Sequence, residues 1–216
     1  MTREELIKKV ALKMDEISSS DDIIVPVGTG DNNPLYTQIN NLLNESVNDV
    51  LMKAPIYRLQ NRVEKLSEDN ISTGVLKSTR KTAIFKISDD FIRLVSITDT
   101  LFDRPVVDLA FEGDDVDKRQ RNKFLVAKNA KPVAVIANTE EGRKITCYSY
   151  GSNQTPDPTL LYIKRYDNDT DTVSDTDLDD YMIDLVSWVC AGKVFAAQGD
   201  INKGKICDDN AAALMV

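Results

Sequence analysis

Asp167, Asp169 and Asp171 alternate in the run Asp167-Asn168-Asp169-Thr170-Asp171. Hard divalent cations take oxygen ligands, and this D-x-D-x-D opening is that of a calcium loop. An EF-hand counted from Asp167 also needs glycine at its sixth place and glutamate at its twelfth. The chain has Thr172 and Leu178 there. The three carboxylates are therefore weak metal candidates, set against the plainer reading of a solvated acidic loop leading into a helix. Gly28-Thr29-Gly30 lacks the Gly-Lys-Ser/Thr of a phosphate loop and reads as a flexible connection.

Histidine is absent altogether. That removes imidazole acid–base work, Ser-His-Asp and Cys-His nucleophile pairs, and imidazole metal ligands. Cys147, Cys190 and Cys207 are widely spaced and form no CxxC, so they read as buried free thiols of a protein made in a reducing cytosol. Carboxylates are plentiful, but no spacing singles out a catalytic pair. The expectation is a protein without enzymatic activity and without a cofactor.

Lys118-Arg119-Gln120-Arg121-Asn122-Lys123 is the one dense cationic run, flanked by Asp114, Asp115 and Asp117. Lys118, Arg119, Arg121 and Lys123 are interface candidates, able to meet phosphates or an acidic neighbour, although short charge runs are usually solvated loops. The C-terminal Leu214, Met215 and Val216 are candidates for docking on a partner. Trp188, the single tryptophan, reads as a core anchor rather than an interface hot spot.

The 216 residues carry 27 basic and 35 acidic side chains, a net charge of -8. That balance does not suit a general nucleic-acid-binding domain, but it suits a surface past which DNA slides without being gripped. Residues 1–17 lack the continuous apolar core of a signal peptide, and no apolar stretch reaches the length of a membrane span. Synthesis and assembly in the cytoplasm are expected.

The elements that must position these residues follow from periodicity. Leu6, Val10, Met14 and Ile17 recur at helical spacing. Asn33 caps and Pro34 opens a second helix striped by Ile39, Leu42, Leu43, Val47, Val50 and Leu51, and Pro55 stops it. Residues 56–66 allow either helix or extended chain. Short strands are expected at 82–87, 91–98, 106–109, 132–138, 143–149 and 160–164, with linkers at 67–74, 112–117 and 152–158. Residues 138–142 read as a hairpin loop. After the acidic segment 167–180, a helix capped at Asp175, Thr176 or Asp177 carries Leu178, Met182, Leu185, Val186, Val189 and Cys190 on one face. Gly199-Asp200 makes a corner into a last helix over 202–214. The expected fold is α+β: terminal helices (1–66 and 167–216) form one helical bundle around an inserted antiparallel β-rich subdomain (67–166).

Ser88-Asp89-Asp90-Phe91-Ile92-Arg93 is similar to the "P-x-D-F-L-R" turn-and-strand of the head-to-tail connector (adaptor) proteins of tailed bacteriophages. Ser88 stands in the proline place and Ile92 in the leucine place. Residues 33–55 resemble the family's long second helix ending in Ala-Pro. Arg104-Pro105-Val106 and Lys131-Pro132-Val133 match two further short patterns, and Tyr181 to Leu214 resembles its closing helical pair. The versions from crAss-like phages look most alike. The resemblance implies a structural virion protein of the neck, forming a homo-oligomeric ring, usually dodecameric, below the portal. Its partners would be itself, the portal protein, the next neck or tail ring, and double-stranded DNA passing without specific binding. A more tail-proximal collar or stopper ring is the alternative within that class, and a calcium-dependent binding module the alternative outside it.

Overall fold

A computed structural model describes residues 2–17, 34–76, 80–122, 124–166 and 178–215. The elements in chain order are α1 (Arg3–Ile17), α2 (Pro34–Lys53), β1 (Val63–Lys65), β2 (Ile71–Leu76), β3 (Arg80–Lys86), β4 (Phe91–Thr98), β5 (Leu109–Phe111), α3 (Asp115–Gln120), β6 (Ala134–Thr139), β7 (Gly142–Cys147), β8 (Thr159–Lys164), α4 (Asp180–Ala197) and α5 (Ile201–Leu214). The fold is α+β, with helices at both ends of the chain. It divides into a helical unit, residues 1–62 with 165–216, and a β-rich unit, residues 63–164. These boundaries lie at 63 and 164, against 67 and 166 read from the sequence.

In the helical unit α4 is buried nearly all round, from Met182 to Phe195, as a helix surrounded by others must be. It packs against α1, α2 and α5. Thr2 and Glu5 form a capping box: the Glu5 amide donates to Thr2 Oγ1 at 3.1 Å and the Thr2 amide to Glu5 Oε2 at 2.7 Å. Arg3 then ties α1 to α2 by donating to Asn40 Oδ1 at 2.6 Å and Asn44 Oδ1 at 2.8 Å. Lys193 of α4 pairs with Glu45 at 2.5 Å and Asp49 at 2.7 Å on α2. Trp188 is buried, with the Lys13 ammonium 4.8 Å from its ring centre.

Gly192 and Gly204 bring α4 and α5 close. A Cβ on Gly204 would sit 3.2 Å from the Gly192 carbonyl oxygen, and one on Gly192 would sit 3.3 Å from Cys207 Cβ. Gly199, at φ +86°, makes the corner, and Asp200 caps α5 by accepting from the Lys203 amide at 3.1 Å. The start of α4 differs from expectation. Asp179 is the cap, accepting from the Met182 amide at 2.7 Å, so Leu178 is buried just outside the helix. Residues 175–177, the expected caps, and Asn33 lie outside the described residues.

The β-rich unit holds two sheets, ordered β1-β8-β4 and β2-β3-β7-β6-β5. One core draws on both, including Phe85, Ile145 and Cys147 from the larger sheet and Leu94, Ile97, Leu160 and Tyr162 from the smaller. All strand pairs are antiparallel except β5 with β6, which is parallel and so departs from the antiparallel expectation. The expected strand at 106–109 is displaced to Leu109–Phe111, because Val106 exchanges backbone bonds with Ile97 at 2.8 and 2.9 Å instead. Residues 56–62 form two 3-10 turns before β1. The linkers at 67–74 and 112–117 contain much of β2 and the start of α3. The hairpin between β6 and β7 turns on Gly142, at φ +111°.

Candidate interaction surface

The turn that carries the resemblance is held from below by Arg143 on β7. Its guanidinium donates to the Ser88 carbonyl at 3.1 Å and the Phe91 carbonyl at 3.4 Å. Ser88 Oγ donates to Asp90 Oδ1 within the turn, and Phe91 stacks on Tyr162 with ring centres 5.5 Å apart. These contacts make the turn a structural corner that starts β4 in the right register.

A second corner is organised by Asp99. Its carboxylate accepts from the Tyr150 hydroxyl at 3.0 Å and from the amides of Leu101 and Asp157, both at 2.9 Å. Tyr150 is fully buried, and that burial, with nearby negative charge, pushes its phenol well above the usual range.

Lys118, Arg119 and Gln120 of the cationic run form the end of α3 rather than a loop, and Arg121 caps it. This six-residue helix has no apolar stripe. It is fixed instead by two buried polar side chains, Asp117 and Gln120. Asp117 accepts from the Gly113 amide at 3.0 Å and from Arg121 at 3.3 Å. Gln120 accepts from the Ala127 amide at 2.9 Å and donates to the Val116 carbonyl at 2.8 Å. Arg121 is thus engaged within its own turn. It also lines a hollow of about 450 Å³ on the outer face of the larger sheet. Lys86, Lys144, Glu141 and Tyr148 line it too, with Lys144 paired to Glu141 at 2.7 Å.

Lys118 and Arg119 point into solvent, Lys118 3.7 Å from Asp115. Lys123 lies outside the described residues. What the sequence reading missed is apolar. Phe111, Val116, Phe124 and Leu125 are all exposed, Phe124 to 79% and Phe111 to 67%. Aromatic and aliphatic side chains beside cations, on one short segment, are the composition of a protein–protein contact rather than of a solvated loop. The adjacency Phe124-Leu125 after the cations was the available signal.

At the other end, Leu214 and Met215 are half-buried at the close of α5, and Val216 is outside the described residues. Asp167, Asp169 and Asp171 also lie outside them, and among the described residues no cluster of carboxylates or thiols is arranged to hold a metal. No helix of the described residues is long and apolar enough to cross a membrane. No protein-family model matches the chain, and a search of curated proteins finds no match either.

Proposed function

We propose that the chain is a structural protein of a tailed-phage neck, of the crAss-like connector type. It forms a homo-oligomeric, dodecameric ring on the portal, prolongs the DNA channel and carries the next ring or tail component. The observation that supports this most is the division of the chain: helices from both ends share one unit, and a β-rich unit is inserted between them. That is the order the resemblance implies. The net charge of -8 suits a conduit that phosphate must pass without sticking. The role is mechanical rather than catalytic, performed in the virion after assembly in the host cytoplasm.

On this reading the segment 111–125 is a contact surface. Phe111, Phe124 and Leu125 supply buried area once covered, while Lys118 and Arg119 meet carboxylates on the neighbouring copy or on the portal. The test is co-migration with the purified portal of the same phage on size exclusion. The intact chain should co-elute with portal. A Phe124→Asp, Leu125→Asp double variant should bind at least about tenfold more weakly, since two buried apolar contacts are lost. Failure of the intact chain to co-elute would count against direct contact with the portal.

A further inference from the structure

The four edges of the two sheets are not alike. β1 is three residues long and carries Glu64 and Lys65. β4 is broken by irregularities at Phe91/Arg93 and Leu94/Ser96. β5 is three residues long, and Asp114 closes it: the Phe111 amide donates to Asp114 Oδ2 at 3.1 Å and the Asp114 amide to the Phe111 carbonyl at 3.1 Å. Short length, charge, bulges and covering turns are how proteins keep an edge from recruiting a strand. Among the described residues β2 has none of these. Its sequence Ile-Ser-Thr-Gly-Val-Leu is uncharged and free of proline, and its six residues pair with β3 without a break.

Which groups face outward follows from the ladder. The Ile87 amide donates to the Arg143 carbonyl, so the odd residues of β3 bond to β7 and the even ones to β2. Ser72, Gly74 and Leu76 lie opposite Ile84, Thr82 and Arg80 and therefore bond inward. Thr73 and Val75 present both amide and carbonyl to the outside, and Ile71 its carbonyl, since the Ile71 amide bonds to Glu68. Val75 is 66% exposed.

The flanks carry opposite charge. Glu68 and Asp69 precede β2, whereas Arg80 and Lys81 lie beside its far end, opposite Leu76 and Val75. An antiparallel copy of the same strand brings its acidic end to the end of β2 beside which Lys81 lies, one strand further in, while Arg80 is engaged with the Ala127 carbonyl at 3.0 Å.

We propose that β2 pairs antiparallel with β2 of a second copy, centred on Thr73. The two Thr73 residues exchange both backbone bonds, and each Val75 amide donates to the other copy's Ile71 carbonyl. Each Val75 side chain is then covered by the other copy's Ile71, the cross-strand pair that stabilises a sheet. The two five-stranded sheets become one. Such a contact is isologous, so it is not one of the repeated contacts of a cyclic ring. It joins two free copies and does not depend on the ring reading.

The test is sedimentation equilibrium of the purified full chain across a concentration series, without portal. A monomer–dimer equilibrium is expected, weakening as salt rises. Val75→Lys should weaken it by about tenfold or more, through loss of the covered apolar pair and the cost of covering an ammonium. Thr73→Pro removes an outward amide and should do the same. A Glu68→Lys, Asp69→Lys variant should weaken it while leaving the circular dichroism of the intact chain. A monomer at every concentration overturns the proposal, as does any dimer or ring indifferent to Val75→Lys. The second result leaves the ring reading standing, so the two are distinguishable.

Discussion

Asn48 holds the backbone of Tyr166 from both sides: its Nδ2 donates to the Tyr166 carbonyl at 2.9 Å and its Oδ1 accepts from the Tyr166 amide at 2.8 Å. Tyr166 follows closely on β8, so a side chain of α2 receives the chain as it re-enters the helical unit. A side-chain amide suits this task because it offers a donor and an acceptor side by side, as a neighbouring strand would.

Asn48→Ala removes both bonds to the partly buried backbone of Tyr166, which costs about 1–3 kcal/mol. Asn48→Asp keeps the acceptor but turns the donor into an oxygen facing a carbonyl, so it should be no better than alanine. Urea unfolding followed by the fluorescence of Trp188, the single tryptophan, reports this in the helical unit itself. An unchanged midpoint for both variants would show that the contact carries no weight.

The α4–α5 crossing makes a sharper demand. At Gly204 the obstacle to a Cβ is the Gly192 backbone oxygen at 3.2 Å, which cannot swing aside like a side chain. Gly204→Ala gains helix propensity of about 1 kcal/mol but forces the helices apart at a cost of about 1–3 kcal/mol, so the net effect is destabilising. Lys205→Ala, one residue along on the exposed face, should be neutral or slightly stabilising. Thermal melts of the two variants side by side decide it.

The thiols set an alkaline limit. Burial pushes Cys147 from the usual 9.0 to about 12 and Cys190 to about 11. Below pH 9 both states keep these protons and the contribution to stability is complete. As pH rises from 9 toward 11–12 the unfolded chain ionises first, so stability falls. Tyr150 acts in the same direction, because its phenol is also raised by burial. The midpoint in urea should therefore drop between pH 9 and 11. A thiol reagent at pH 8 should modify the three cysteines only after unfolding, since all are buried.

Arg143→Ala should loosen the corner that begins β4. It loses two donors to the carbonyls of Ser88 and Phe91, worth about 1–2 kcal/mol together. Hydrogen exchange should rise at the amides of Ile87 and Phe91, which that corner protects, while amides of α4 keep their protection. Equal loss in α4 would mean that the substitution acts on the whole chain instead.

The helices were readable where burial follows a period. Leu43, Val47, Val50 and Leu51 on α2 and Met182, Leu185, Val186 and Cys190 on α4 are apolar, in register, and buried. β2 was hidden because Ser72, Thr73 and Gly74 carry no apolar alternation; what makes them a strand is β3 beside them. α3 was hidden because its fixed face is polar, Asp117 and Gln120 satisfying backbone groups where a pattern reading looks for hydrophobes. The cations of the candidate surface were legible from charge alone. Phe111 was not, since an apolar residue in a sequence reads as core until the fold leaves it outside, and for Phe124 and Leu125 the one signal was their place directly after the cations.

Electron microscopy of the purified chain mixed with a purified portal ring decides whether the proposed ring on the portal forms. A connector should give coaxial rings stacked on the portal, with the channel continuous through both and residues of the segment 111–125 at a contact between copies or with the portal. Portals that remain bare at saturating chain, with the chain itself free in the background, would contradict it.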